Sequence, residues 1–401
     1  MSFKIDCENF SKDMLPKLTL KLIGHYSIDG DLQYHADLSQ LKYYIPPPDL
    51  DNVFFDLKKN STFTHYKPTS YIKLDDILRW ISDNFNLLEK PLPRDQWLDT
   101  DFICRRGALK VILSTPYERC KDWIICASKY RGTIYLCEFY TDEKECQHVN
   151  ITAETKQLIS QGFKFDQYMV ADQPSYQPNT SVPLNECEQF YCIFKTNFGH
   201  HSLVYEAEID GISSQQHITD TLIGKTFEMI ELKTLSIRQY NEIGTEQHYK
   251  YGTMRVNKVI TWWSQNYLAG IERLICGLRN RNEEVRMIKE FSTHNLPQLS
   301  KVIPLKIYVY KHYIFMYILI CNYLLLQPCC NVDKCKMFFK IFLDNVKKIV
   351  TKDHNECMYK FYFDASNNVI NYSEEAANDE KYIFLKSWFV KKAEKYNDTF
   401  Q

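Results

Sequence analysis

The chain has no surplus of charge of either sign: 49 Lys and Arg against 50 Asp and Glu leave a formal net charge of −1. That balance excludes a domain that adheres to nucleic acid through overall basicity, so any such contact must come from a local basic cleft or from a bound cation. Glycine and proline are sparse, at 12 and 14 in 401 residues, and there is no internal repeat and no Gly/Ser-rich linker. A solenoid or a string of tethered modules is thereby ruled out in favour of one compact unit, residues 1–401. No apolar run is long enough to cross a bilayer: the longest, 313–326, is about 14 residues against the ~20 a spanning helix requires, and it reads as a buried helix. The opening MSFKIDCENFSKDMLPKL lacks the charged, apolar and small-residue succession of a secretion signal. The 14 cysteines show no repeating spacing, which fits a reducing compartment, the nucleus or the cytosol, better than a disulfide framework. Cys329, Cys330, Cys335, His354 and Cys357 lack the paired spacing of a strong zinc motif.

What is present is core material, 45% hydrophobic and 14% aromatic. Residues 1–100 read as a peripheral layer in which Pro46, Pro47 and Pro48 break regular structure and Leu74, Ile77, Leu78 and Ile81 recur at helical spacing. WIICASKYRGTIYLCEFY reads as a hairpin turning at Arg131 and Gly132. Further strands are expected at 189–195, 202–210, 226–234 and 273–279, and helices near 152–162 and 254–267. Helices and strands in mixed order imply an α+β (mixed α/β) fold with a central mixed sheet.

The chemistry concentrates in two strands, read as neighbours that bring their acids close enough to share a divalent cation. In LVYEAEID a period of two puts Glu206, Glu208 and Asp210 on one face and Leu203, Tyr205, Ala207 and Ile209 on the other. Solvation would explain such a row on an exposed strand. In FEMIELKT, Glu231 and Lys233 share a face while Ile230 and Leu232 point to a core; an exposed ion pair is the plain alternative. An acid pair followed by Glu-x-Lys is a nuclease arrangement, because phosphoryl transfer needs divalent metal held by hard oxygen ligands, and Mg²⁺ or Mn²⁺ suits carboxylates. The lysine adds a positive point charge for the charge that develops at phosphorus. Asp166 follows a helix expected to end or kink near Gly162, and could equally be a surface or capping acid. Gln265 shares a helix face with Trp262, whose indole reads as core in preference to a base-stacking platform. Arg106 precedes an apolar run and could clamp a phosphate with its planar fork.

In their order, LKYYIPP (41–47), RRGALKVILSTPYER (105–119), SKYRGTIYLCE (128–138), GFKFDQYMVADQP (162–174), EID (208–210), ELKT (231–234), KVITWWSQNYLAG (258–270), GLRN (277–280) and YIFLKSWFV (382–390) resemble the DXO decapping and exoribonuclease family. The resemblance implies a large mixed sheet flanked by helices and a PD-(D/E)xK-type nuclease cleft within 101–280. It implies that Asp166, Glu208, Asp210, Glu231 and the carbonyl of Leu232 bind one or two Mg²⁺ or Mn²⁺ ions, with Glu231, Lys233 and Asp210 catalytic. Arg105, Arg106, Gly107, Tyr191, Glu208, Lys233 and Gln265 would contact the substrate. The implied substrates are RNA 5′ ends carrying incomplete methylguanosine caps, nicotinamide-dinucleotide caps or triphosphates, with 5′ to 3′ degradation of the RNA to follow. The implied setting is the nucleus, or also the cytoplasm, with a larger 5′–3′ exoribonuclease as a partner and no membrane.

Two departures stand out. The family usually carries Glu where this chain has Asp166, and the missing methylene retracts the carboxylate by roughly 1.5 Å. The apolar segment 310–330 has no counterpart in the family and reads either as a buried helix peculiar to this chain or as sequence from an unspliced intron. Two other functions remain open on sequence: a catalytically weakened RNA-end binder or exonuclease partner, and a DNA nuclease sharing the same metal chemistry.

Overall fold

The computed structural model describes residues 1–7, 10–68, 73–90, 96–241, 252–300 and 330–398. The apolar segment 310–330 therefore lies outside the described residues except for Cys330, which is buried. No described helix is long and apolar enough to cross a membrane.

In chain order the elements that shape the molecule are β1 (Leu18–Ile28), α1 (Asp75–Asp83), β2 (Phe102–Arg105), α2 (Arg106–Ser114), β3 (Trp123–Tyr130), β4 (Thr133–Phe139), α3 (Ala153–Met169), β5 (Gln189–Phe198), β6 (His201–Glu208), β7 (Gly211–Ser213), β8 (Glu228–Ser236), α4 (Gly252–Ala269), β9 (Arg273–Arg279), β10 (Glu284–Ser292), α5 (Val332–Ile349), β11 (Cys357–Asp364), β12 (Val369–Ala376) and α6 (Ser387–Asp398). They build two large mixed sheets. The ten-stranded sheet runs Ser2–Phe3, β12, β11, β3, β4, β2, β6, β5, β1, Tyr34–His35, with β2 parallel to both β4 and β6. The seven-stranded sheet runs Val170–Ala171, Tyr43–Tyr44, β7, β8, β9, β10, Phe55–Asp56, with β8 parallel to β9.

Strand alternation decides which helices cover which face. Leu203, Tyr205 and Ala207 of β6 face one core together with Leu109 and Ile112 of α2, Ile260 and Trp263 of α4, and Phe339 and Phe342 of α5. Leu274, Cys276 and Leu278 of β9 enter the same core from the second sheet, so α2, α4 and α5 lie between the sheets. The outer face of the first sheet is covered by α1 and α6 through Ile77, Leu78, Ile81 and Phe389. The outer face of the second takes α3, whose Phe165 and Met169 pack on Ile230, Leu232 and Ile275. The β3–β4 hairpin closes in two residues, with Arg131 and Gly132 both at positive φ (46° and 83°), the backbone a tight hairpin turn demands.

Three sequence expectations need correction. Residues 1–100 are more than an outer layer, because the 11-residue β1 pairs with β5 along its length and Tyr43–Tyr44 and Phe55–Asp56 join the second sheet. The helix expected to end near Gly162 runs on to Met169: a Cβ on Gly162 would meet nothing within 4 Å, so this glycine neither breaks nor packs the helix, and Asp166 lies inside it. The strand at 202–210 stops at Glu208, where the chain changes sheets.

Candidate active site

The acids gather where the backbone passes from the first sheet to the second. Glu208 is the last residue of β6, Ile209 is buried, Asp210 occupies the junction, and Gly211 opens β7, which pairs with β8 through Gly211 and Ile230. Glu208 and Glu231 are therefore not on adjacent strands of one sheet, as the sequence suggested. They belong to different sheets, with the junction and β7 between them.

Beyond Ile230 the β7-side edge of β8 is open, and there Asp210 Oδ2 accepts the Leu232 N–H at 2.7 Å. The N–H and C=O of one strand residue point to the same edge, so the Leu232 carbonyl faces Asp210 as well. On the inner face of β8, fully buried Glu231 accepts at Oε1 from Lys233 Nζ and from Gln265 Nε2 of α4 (2.5 Å). Its Oε2 lies 3.8 Å from Arg106 Nη1 of α2, beyond hydrogen-bonding reach, and both atoms are buried without a hydrogen-bond partner. Lys233 Nζ is also 4.0 Å from Asp210 Oδ2.

Electrostatics mark this group as one unit. Burial, followed by the neighbouring Glu231 carboxylate, raises Asp210 to about 7. Burial and then Asp210 hold Asp166 well above the usual carboxylate range. Burial alone would lower Lys233, but Glu231 and Asp210 outweigh it and raise its pKa, so the ammonium stays charged at neutral pH. Four acids with Lys233 and Arg106 leave the site short of positive charge, and it is partly dry. The donors are all hard oxygens, one of them the unpartnered Glu231 Oε2, and the Leu232 carbonyl is aimed at the same place. That set fits Mg²⁺ or Mn²⁺.

Two cavities meet at Glu208. One, of about 240 Å³, is lined by Arg105, Arg106, Gly107, Lys110, Glu138, Tyr191, Glu208 and Gln265. The other, of about 610 Å³, is lined by Lys42, Asp166, Gln167, Tyr176, Glu208 and Asp210. The structure thus brings together Asp166, Glu208, Asp210, Glu231, Lys233, Gln265 and Arg106. Arg105 and Tyr191 line the first cavity but are committed behind it: Arg105 pairs with buried Glu206 and donates to the Tyr191 hydroxyl at 2.8 Å, and Tyr26 donates to Glu206 at 2.5 Å. Glu206, on the face the sequence assigned to a row of three acids, is thereby neutralised. Gly107 is not sterically forced, since a Cβ there would meet only Glu138 Oε2, at 3.7 Å. Trp262 and Trp263 are core residues, at 8% and 4% exposure.

Sequence reading missed Lys110. It stands one helical turn beyond Arg106 on α2, a spacing that places both on one face, and burial lowers its pKa. The signal was the i, i+4 pair of cations in RRGALK.

Gly277 of β9 sets how closely α3 approaches the second sheet. A Cβ there would stand 2.5 Å from Phe165 Cε2, one residue before Asp166. Gly277→Ala is expected to cost about 1–3 kcal/mol through overpacking and to shift Asp166 with its helix. Thermal unfolding with a parallel metal titration checks it, and an unchanged midpoint would show that Phe165 can give way.

Residues 20–390 match the family described as RAI1-like PD-(D/E)XK nuclease. Among curated relatives, the rat decapping and exoribonuclease protein is 28% identical over 372 residues, covering 92% of this chain and 83% of its own length. The Drosophila melanogaster decapping and exoribonuclease protein Rai1 is 30% identical over 285 residues, 69% of this chain and 73% of its own. The crystal structure of Candida albicans Rai1 in complex with pU5-Mn²⁺ superimposes with a TM-score of 0.76 at 19% identity, covering 98% of this chain and all of that one. With two mixed sheets meeting at a cluster of carboxylates and a Glu-x-Lys strand, and with the match spanning nearly its whole length, the chain belongs to the RAI1-like PD-(D/E)XK nuclease family.

Proposed function

We propose that this protein is a divalent-metal-dependent hydrolase of RNA 5′ ends, which removes incomplete, nicotinamide-dinucleotide or triphosphate 5′ groups and degrades the RNA from 5′ to 3′. The observation that carries it is the meeting of Asp166, Glu208, Asp210 and Glu231 with Lys233 at the junction of the sheets, beside a cavity walled by the N-terminus of α2. Relatives named for decapping and exoribonuclease activity support the reaction class. Rai1 structures with pU5-Mn²⁺ and with (3′-NADP)⁺ and calcium support RNA and dinucleotide ends as substrates.

Bound at Asp166, Glu208, Asp210, Glu231 and the Leu232 carbonyl, Mg²⁺ or Mn²⁺ supplies Lewis acidity and lowers the pKa of the attacking water. The chain's own groups do the rest. Lys233, held protonated by Glu231 and Asp210, donates to the charge developing on the phosphoryl oxygens. Gln265 and Lys233 together fix the Glu231 carboxylate through Oε1. Arg106 and Lys110, at the start of α2, attract the 5′ phosphates, aided by the helix N-terminus. Scissile phosphodiesters and phosphoanhydrides present the same non-bridging oxygens, so one site serves both cap removal and chain degradation.

The test is product analysis on RNAs differing only at the 5′ end, in Mg²⁺, in Mn²⁺ and in chelator. Metal-dependent release of distinct 5′ products is the expected result. No release from any substrate would leave the second reading, an end-binding protein or exonuclease partner with a weakened site, for which Asp166 is the specific support. Asp166→Glu discriminates as well: if Asp166 only loosens a working site, restoring the methylene should raise turnover or Mn²⁺ affinity by on the order of tenfold, measured at limiting metal. A variant as inactive as the parent favours the binder.

The nucleus, with the cytoplasm as second compartment, is the proposed location, supported by the absence of disulfides among the described cysteines. A larger 5′–3′ exoribonuclease is the proposed partner, and co-sedimentation of the two purified proteins tests it.

A further inference from the structure

Among the described residues, one trio of potential ligands is drawn tighter than the acids of the cleft. The ligand atoms of His200, His201 and Asp344 all lie within 4.8 Å of one another. We propose that these three residues form a binding site for Zn²⁺, separate from the catalytic cleft.

The local fold explains the convergence. β5 and β6 are joined by the two-residue turn Gly199–His200, flanked by the pair Phe198 and His201, and Gly199 takes the positive φ (65°) that such a turn requires. Consecutive residues of a straight strand would point to opposite faces. At the turn both imidazoles instead reach the same carboxylate oxygen: Asp344 Oδ1 of α5 lies 3.0 Å from His200 Nε2 and 2.7 Å from His201 Nε2. Donors around a tetrahedral zinc, each ~2.0–2.1 Å from the ion, stand roughly 3.4 Å apart. Each imidazole nitrogen thus needs to draw back from the carboxylate oxygen by less than about 1 Å to admit the ion.

The frame around them is rigid. His201 packs edge-on against Phe102 at 5.5 Å, and Phe198 packs on Phe339 of α5 at 4.8 Å, so hairpin and helix are already docked through the core. The His201 side chain is fully buried, and its Nδ1 has no hydrogen-bond partner. The far oxygen of Asp344 is held by Lys340 at 2.9 Å, which turns Oδ1 toward the histidines. His200 is 63% exposed, giving an entry path and room for a water as the remaining ligand.

Two imidazoles and one carboxylate favour a borderline cation over Mg²⁺ or Mn²⁺, whereas the all-oxygen cleft suits the hard cations. His201 and Glu208 are the two ends of β6, so the sites are roughly 24 Å apart at about 3.4 Å per residue. Zinc here would join the β5–β6 hairpin to α5 at one end of the strand whose other end carries a catalytic acid.

The experiment is a Zn²⁺ titration by calorimetry on chelator-treated, full-length protein in the Glu231→Gln background, which blunts the cleft, with Co²⁺ absorption as a report of low coordination number. One Zn²⁺ per chain is expected, with the visible bands of a four- or five-coordinate Co²⁺ site. Adding His200→Ala, at an exposed position, or the near-isosteric Asp344→Asn should weaken binding at least tenfold and abolish those bands. His200→Ala alone should leave Mn²⁺-dependent hydrolysis unchanged. Zinc affinity equal with and without His200→Ala, or binding lost on Glu231→Gln alone, overturns the proposal.

Discussion

Glu231→Gln is expected to lower turnover on every RNA 5′ end by roughly 10³-fold, about 4 kcal/mol of transition-state stabilisation, while the protein stays folded. The substitution keeps the length and planarity of a fully buried side chain. It removes the charge that holds Lys233 protonated and leaves an amide group opposite Arg106, where the carboxylate Oε2 now stands at 3.8 Å. An amide oxygen is also a weaker ligand for a hard dication. Three contributions to phosphoryl transfer are thus lost together, and such losses are not additive. Single-turnover kinetics at saturating Mn²⁺ and at limiting Mn²⁺ separate them: a defect that high metal rescues is one of ligation, and one that persists lies in Lys233 and the transition state. Turnover within tenfold of the parent under both conditions would remove Glu231 from the catalytic machinery.

The local readings of the sequence held because alternation is local. Ile230 and Leu232 do face the α3 core, and Glu231 and Lys233 the opposite side. The Arg131–Gly132 turn and the helical spacing of Ile77, Leu78 and Ile81 were legible for the same reason. What the sequence did not show was where strands go. A period of two says that Glu206 and Glu208 share a face; it cannot say that Arg105 and Tyr26 neutralise the first while the second stands at a junction of two sheets. Helix propensity is equally blind to Gly162, because nine helical residues on one side and the packing of Phe165 and Met169 on the other carry α3 past it. Arg105 illustrates the cost of reading residues singly. Neighbouring arginines look interchangeable in RRGALK, yet Arg105 ends a strand and faces Glu206, whereas Arg106 begins a helix and faces Glu231.

Stripped of divalent ions by chelator, the protein is expected to draw from Asp210 a contribution to stability that is lost as pH rises from about 4 to about 7, opposite in sign to the usual acid limb. The sign follows from Asp210. In the unfolded chain its carboxyl titrates at its ordinary value of 3.8; in the fold, burial and then Glu231 raise it to about 7. Between these values the native state retains a proton that the unfolded state has released, so each step up in pH favours unfolding. The stabilisation is complete below the lower value and lost above the higher. Asp166 acts in the same direction, while Lys233, raised by the same acids, does not titrate in this window. At about 1.4 kcal/mol per unit of displacement, Asp210 alone amounts to a few kcal/mol, reduced by the contact with water that its 19% exposed side chain keeps. Divalent metal should reverse the trend, because ligation requires the proton to leave: Mn²⁺ would stabilise strongly at about pH 7.5 and weakly at about pH 5, its apparent affinity falling up to tenfold per pH unit for each proton displaced. Asp210→Asn isolates the cause. It should raise the unfolding midpoint of the chelated protein at about pH 7.5, flatten the pH slope, and abolish stabilisation by Mn²⁺, all read by thermal unfolding. Parallel pH profiles for parent and variant in chelator would mean that the acids are too far apart, or too well hydrated, to repel one another, and the Coulombic case for a shared cation at this junction would fail with them.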